Sequence, residues 1–312
     1  MKIKSSHWLI SIVFAFSVYF VILLFSDLPT IMNNFLSIKL EFVLFGFIAT
    51  YSSLMITGFR WHLMIRDLGN SVSFKSTLLT YLCGNAFALS PGRLGEVLRS
   101  FYLKRLHDIP VAQTAPTIII ERFFDVLAIL IVALIFSVFI GVSEWFILLG
   151  FGVIGLFLFL MYKKKYLIKI LEKTKNIRYG ERISQTLLES LDSMYILLKP
   201  KIFLRLFSLS ILAWLIGSLV VYFSLLAFNI ELDILKSVFF HVTSTLLGSA
   251  TFLPGGIGAT EGGLLGLFYL EGISYDDSIA PILLIRITVI WSMTVFGLII
   301  NGIAEATVLK NK

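Results

Sequence analysis

The chain has 312 residues, of which 58% are hydrophobic and 14% charged, with a formal net charge of +7. Ordinary soluble domains carry about 25% charged residues, so this composition excludes them; with apolar runs of 18 residues or more it defines a polytopic membrane protein. The single cysteine, Cys83, excludes an internal disulfide framework, and the scattered His7, His62, His107 and His241 exclude a local metal motif of the HExxH kind.

In chain order, apolar runs predict six full spans, at 8–25, 41–59, 113–140, 145–162, 205–228 and 279–303. Lys2 and Lys4 precede the first, and no small-x-small cleavage site follows it, so it is expected to remain as an anchor. Two further apolar segments are too short to cross. Residues 78–89 end at Ser90-Pro91-Gly92, and residues 238–253 end at Pro254-Gly255-Gly256, after which 262–270 is again apolar. Both are expected to be re-entrant helical hairpins broken by Pro and Gly, which a bilayer tolerates where the backbone is buried in protein or lines a wet cavity.

Charge sets the expected topology. With the N-terminus inside, the inner segments 1–7, 60–76, 93–110, 163–205 and 304–312 hold 22 of the 26 Lys and Arg. The outer segments hold two cations, Lys39 and Lys236, against eight acids. This asymmetry places both termini in the cytoplasm and the protein in the cell membrane, and it accounts for the basic net charge without nucleic acid. The linker 163–205 has eleven basic and four acidic residues, and Ile183, Leu187, Leu191, Met194 and Leu198 recur at helical spacing. It reads either as a solvated linker with a helix on the anionic leaflet or as a docking site for a lipid-modifying enzyme.

The two broken segments match each other. Residues 90–95 (SPGRLG) align with 253–258 (LPGGIG); beyond a two-residue insertion, Glu96 meets Glu261, Ala115-Pro116 meets Ala280-Pro281, and Glu121 meets Arg286. One integral-membrane domain is therefore expected, built from two units of opposite orientation at about 41–140 and 205–303. Such inverted repeats belong to transporters with a central site between broken helices.

The stretches GNAFALSPGRLGEVLRSFYLKR (84–105), APTIIIERFFD (115–125) and TFLPGGIGATEGGLLGLF (251–268) resemble the lysylphosphatidylglycerol synthase transmembrane family, also called the flippase-like or UPF0104 membrane family. In bifunctional members the resemblance implies a domain that moves aminoacylated phosphatidylglycerol between leaflets, fused to a cytosolic aminoacyl-transferase domain. This chain ends at Lys312, soon after its last span, so a stand-alone member without the transferase is expected. Stand-alone members are linked to diverse lipids, including glycolipid and isoprenoid precursors.

The residues themselves point to an anionic headgroup. Arg93, Glu96 and Arg99 recur at i, i+3, i+6, expected on one side of a short helix after a Pro-Gly turn that aims free N–H groups at mid-membrane; arginines there suit a lipid phosphate. The plainer alternative is an interfacial helix facing bulk headgroups. Glu121, Arg122 and Asp125 lie within a span, as a polar wall or as a structural ion cluster. Arg286 has no acid at helical spacing and needs Glu121, Glu261 or a lipid phosphate. Pro254, Gly255 and Gly256 read as a turn lining the path or as close helix packing, whereas Cys83, Asn85 and His241 read as packed or hydrogen-bonded residues rather than ligands.

The leading expectation is a flippase or transporter for an anionic, aminoacylated or glycosylated lipid, possibly isoprenoid. The alternatives are a membrane enzyme acting on a lipid phosphate and an accessory subunit presenting lipid to an enzyme. No catalytic residue, metal or cofactor is expected, and no GxxxxGK[ST] phosphate loop occurs.

Overall fold

The computed structural model describes residues 5–90, 95–140, 152, 155, 190–251 and 253–309, and the side chains of 5–12, 308 and 309 are excepted. Among these residues the fold is all-helical. Helix α1 (Ser5–Leu24) is followed, after a bend of 101°, by α2 (Leu28–Leu36). Pro29 sits in the first turn of α2, where its missing N–H costs nothing, and Asp27 receives the Thr30 hydroxyl. Ile31 of α2 is buried while Leu28, Met32 and Leu36 are exposed. Hydropathy did not foresee this short helix, because its apolar residues are interrupted by Asn33 and Asn34.

Helix α3 (Leu40–Asp67) has 28 residues and a length of about 42 Å, more than the ~30 Å hydrocarbon core. It passes well beyond the expected end at residue 59, so Arg60, read above as a loop cation, lies inside a helix and is fully buried. Removing Arg60 and Arg99 from the flanking cations does not change the sign of the charge asymmetry. The last expected spans are also longer. They correspond to α8 (Pro200–Ala227) and to a continuous helix, Tyr275–Thr307, within which α11 (Tyr275–Arg286) and α12 (Ser292–Ala304) are joined by a π-turn at Ile287–Trp291. The span expected at 113–140 is α6 (Val111–Thr114) continuing into α7 (Pro116–Ile140). That expected at 145–162 lies outside the described residues, apart from Gly152 and Gly155.

Helices α3 and α8 run antiparallel along their whole length. Lys39 N donates to Ala227 O at 2.9 Å at one end, Ser53 Oγ to Ala213 O at 2.8 Å in the middle, and Arg205 meets Asp67 at the other end. Small residues permit the approach: a Cβ on Gly217 would lie 3.0 Å from Ser53 Oγ. This is how membrane helices associate when burial against lipid gains little.

Each of these two helices feeds a helical hairpin. The first comprises α4 (Phe74–Asn85), a tip whose described residues are 86–90 and 95–97, and α5 (Leu98–His107). Ser73 caps α4 by accepting from Ser76 N, and Asp108 ends α5 in a left-handed conformation. Ser76 Oγ lies 2.5 Å from His107 Nε2, so the chain leaves the hairpin where it entered. At the tip, Ser90 Oγ accepts from Gly95 N at 2.7 Å. The second hairpin comprises α9 (Ile234–Ala250), a 3-10 turn Pro254–Gly256, and α10 (Ala259–Leu270). Its open end is closed by Lys236 Nζ to Glu271 Oε2 at 2.6 Å. Because α3 and α8 are antiparallel, the two hairpins start from opposite ends of the pair.

The helices after each hairpin pack on the opposite hairpin. Helix α7 lies along α9, with Ile129, Val132 and Ala133 among Val238, Phe239 and Val242. Helix α12 lies along α4, with Tyr102 Oη donating to Asn301 Oδ1 at 2.6 Å. Contact is closest at Gly297, where an added Cβ would come within 2.4 Å of Ala86 N. Backbone cannot yield as a side-chain end can, so Gly297→Val is expected to lower stability by about 1–3 kcal/mol or prevent assembly. Thermal unfolding in detergent checks this; an unchanged midpoint contradicts it.

The described part of the basic linker packs on the bundle rather than standing apart from it. Leu197 is fully buried with Trp61, Leu103 and Leu206, and Ser190 Oγ donates to Ala112 O at 3.2 Å. Residues 163–189, with most of the linker's positive charge, lie outside the described residues.

Candidate functional site

Within the first half, charged side chains from two helices and a hairpin converge. Arg60 of α3 donates from Nη1 to Asp125 Oδ1 at 2.7 Å and to Ser210 Oγ at 2.5 Å, with Glu121 Oε1 3.8 Å from its Nη2. Arg99 of α5 pairs with Glu121 Oε2, and its guanidinium lies 4.8 Å from the Trp61 ring centroid and 5.2 Å from that of Tyr81. Stacking on two rings with an ion pair at the edge suits a planar, weakly hydrated guanidinium. Arg122 of α7 bridges Glu96 Oε2 at 3.4 Å and Asp125 Oδ2 at 3.3 Å. Helix α7 thus splits its polar residues, with Glu121 turned to α3 and α5 and Arg122 toward the hairpin tip.

The second half has its own pair. Glu261 lies in the first turn of α10, where Oε2 accepts from Gly258 N at 2.8 Å, and Oε1 accepts from Arg286 Nε at 2.7 Å and from the Tyr19 hydroxyl at 2.9 Å. Arg286 Nη2 also donates to Gly255 O at 2.7 Å, fastening it to the hairpin tip. Gly255, Gly256 and Gly258 all have positive φ, at 61°, 64° and 90°, which L side chains rarely adopt. The tips meet: a Cβ on Gly255 would lie 3.0 Å from Leu89 Cδ2 of the first hairpin.

Among these residues four arginines face four carboxylates. A buried charge that loses its partner costs several kcal/mol, so the balance is what makes so many tolerable in an apolar bundle.

Between the halves lies a cavity of about 560 Å³, walled by α3, α4, α7, α8, α9, both hairpin tips and α11. Arg60, Arg122, Asp125 and Arg286 are its charged lining, with Gly255 and Gly256 at one end. Arg60 Nε and Nη2, Arg122 Nε and Asn85 Nδ2 are buried donors with no hydrogen-bond partner among the described residues.

The expected site residues divide accordingly. Arg122, Asp125, Gly255, Gly256 and Arg286 stand on the wall. Glu96, Arg99, Glu121 and Glu261 stand behind it and hold the wall arginines or one another; Pro254 only turns the chain. Arg93 lies outside the described residues. Arg99 was expected to meet phosphate, but it is spent on Glu121 and two aromatic rings. The single-helix spacing that suggested otherwise does not hold, since α5 begins at Leu98 and Glu96 lies in a preceding 3-10 turn. Arg60 was missed as a site residue. The signal was present: Trp61, Leu63, Met64 and Ile65 continue the apolar pattern past it. Asn85 and His241, expected to be packed or hydrogen-bonded, line the cavity, and His241 Nδ1 lies 3.0 Å from Ser218 Oγ.

Long apolar helices, two broken hairpins and a charged interior define an all-α polytopic membrane protein. The chain belongs to the family described as the lysylphosphatidylglycerol synthase TM region, whose model matches residues 8–297. It is 30% identical over 231 residues to a UPF0104 membrane protein of Methanocaldococcus jannaschii, covering 72% of this chain and 95% of that one. A second such protein of the same organism is 24% identical, covering 100% of this chain and 99% of its own. A UPF0104 membrane protein of Methanothermobacter thermautotrophicus is 27% identical over 80% of this chain and 79% of its own. The family name attaches a lipid-related membrane function to the fold.

Proposed function

We propose that the protein moves a lipid with an anionic phosphate headgroup between the leaflets of the cell membrane, as a transporter without its own ATP hydrolysis. The observation that carries this reading is the central cavity, with three arginines on its wall, where the tips of two opposed hairpins meet. A headgroup crossing a bilayer needs a polar waypoint at mid-depth, and broken helices supply one without exposing backbone to lipid. On this reading the units 41–140 and 205–303 form an inverted repeat, both termini are cytoplasmic, and rocking of one hairpin against the other changes access to the cavity.

The test is reconstitution into liposomes containing trace tail-labelled phospholipid, with the label in the outer leaflet destroyed by a membrane-impermeant reagent. Transport predicts protein-dependent loss of the label that began in the inner leaflet. Conversion of the lipid to a new product would instead indicate an enzyme. Neither movement nor conversion would leave a subunit that presents lipid to a partner enzyme.

A further inference from the structure

The cavity wall distinguishes between headgroups. Its charged lining among the described residues is three arginines and one carboxylate, Asp125. That carboxylate is already engaged on both oxygens: Oδ1 accepts from Arg60 Nη1 at 2.7 Å and Trp214 Nε1 at 3.4 Å, and Oδ2 lies 3.3 Å from Arg122 Nη1. Glu96, Glu121 and Glu261 sit behind the arginines that they neutralise. The Arg122 side chain is the most open charge on the wall, at 32% exposure against 10% for Asp125, so an ammonium group entering the cavity meets that guanidinium before a carboxylate.

The hydrogen-bonding groups have a complementary bias. The buried donors Arg60 Nε, Arg122 Nε and Asn85 Nδ2 want acceptors, which phosphate oxygens provide. Beside them the wall carries the hydroxyls of Thr50, Ser53, Thr57, Thr245, Ser249 and Thr260. Ser53, Thr57 and Ser249 already donate their protons to backbone carbonyls, which leaves their oxygens as acceptors. The Thr50 hydroxyl is buried with no partner among the described residues. Acceptor oxygens beside arginine donors suit a ligand that brings both phosphate oxygens and hydroxyl protons. A cavity of about 560 Å³ falls within the usual ~300–1,000 Å³ of ligand sites and holds such a group.

Building on the transport reading, we infer that the headgroup taken here is a phosphodiester bearing a hydroxylated, uncharged substituent (a glycerol or a sugar) and no ammonium. The site thus discriminates against the aminoacylated lipid for which the family is named.

The experiment compares four lipids with identical labelled tails in the same proteoliposomes: phosphatidylglycerol, phosphatidylmethanol, phosphatidylethanolamine and lysylphosphatidylglycerol. Phosphatidylglycerol is expected to exchange at least tenfold faster than the two amine-bearing lipids, and severalfold faster than phosphatidylmethanol, which has the same charge but no hydroxyl. Thr50→Val removes one hydroxyl at near-constant volume and is expected to narrow the phosphatidylglycerol-to-phosphatidylmethanol ratio. Thr245→Asp adds a carboxylate to the wall and is expected to raise lysylphosphatidylglycerol exchange while lowering that of phosphatidylglycerol. Equal or faster exchange of either amine-bearing lipid by the unmodified protein overturns the inference, as does a ratio unmoved by Thr50→Val. If none of the four exchanges, the transport reading fails by itself. Binding of the same lipids to the detergent-solubilised protein then decides the headgroup: tighter phosphatidylglycerol supports the inference, and equal or tighter lysylphosphatidylglycerol overturns it.

Discussion

Arg286→Ala is expected to abolish lipid exchange and to lower stability by about 3–5 kcal/mol, the usual cost of breaking a buried ion pair by removing one partner. The reason lies in what remains. Glu261 is 1% exposed and would keep only the Tyr19 hydroxyl and Gly258 N–H, while Gly255 O would lose its donor at the hairpin tip. Neutralising the stranded carboxylate should repair the fold without repairing the site. Arg286→Ala with Glu261→Gln is therefore expected to recover most of the thermal midpoint and none of the exchange. A double-mutant cycle scored separately for stability and exchange measures this. Wild-type exchange by the double variant would make Arg286 a packing residue and remove it from the lipid path.

A comparable loss is expected at Arg60, for a different reason. Arg60 joins three helices through one guanidinium, reaching Asp125 on α7 and Ser210 on α8 from α3. Arg60→Leu should lower stability by about 3–5 kcal/mol because Asp125 and Glu121 both lose positive charge in a buried setting. Arg60→Lys keeps the charge but lacks the planar fork that reaches two acceptors. It should retain most of the stability and lose at least tenfold in exchange. Thermal unfolding alongside the liposome assay separates the two effects. An Arg60→Leu protein as stable as the parent would mean that Arg122 alone suffices to hold Asp125.

Much of this architecture was legible in the sequence because the bilayer imposes length and polarity together. Apolar runs marked the long helices, and Pro-Gly steps after short runs marked both hairpins. The charge reading, by contrast, placed Arg60 in a loop. A cation at the edge of an apolar run is taken as a boundary, and only the residues beyond it show that the helix continues. Partner choice was illegible for the same kind of reason. Arg286 could have reached Glu121 or Glu261, and nothing in the order of residues shows that the Gly258 turn presents Glu261 to it. Arg99 shows the opposite error: regular spacing suggested a helical face where a 3-10 turn changes the direction of Glu96. Helix α2 escaped notice because, with nine residues and two asparagines, it is too short to register as a span by itself.

The two halves exchange their packing but not the buried charges around the cavity. Helix α7 covers the second hairpin and α12 the first, yet Arg60, Arg99 and Arg122 pair with Glu96, Glu121 and Asp125 inside the first half, and Arg286 pairs with Glu261 inside the second. During synthesis the first half can therefore enter the bilayer with its buried charges already balanced, before the second has left the ribosome. What it lacks at that stage is the apolar cover for its hairpin and the antiparallel partner of α3, helix α8. Insertion and assembly are thus separable, with ion pairing serving the first and shape the second.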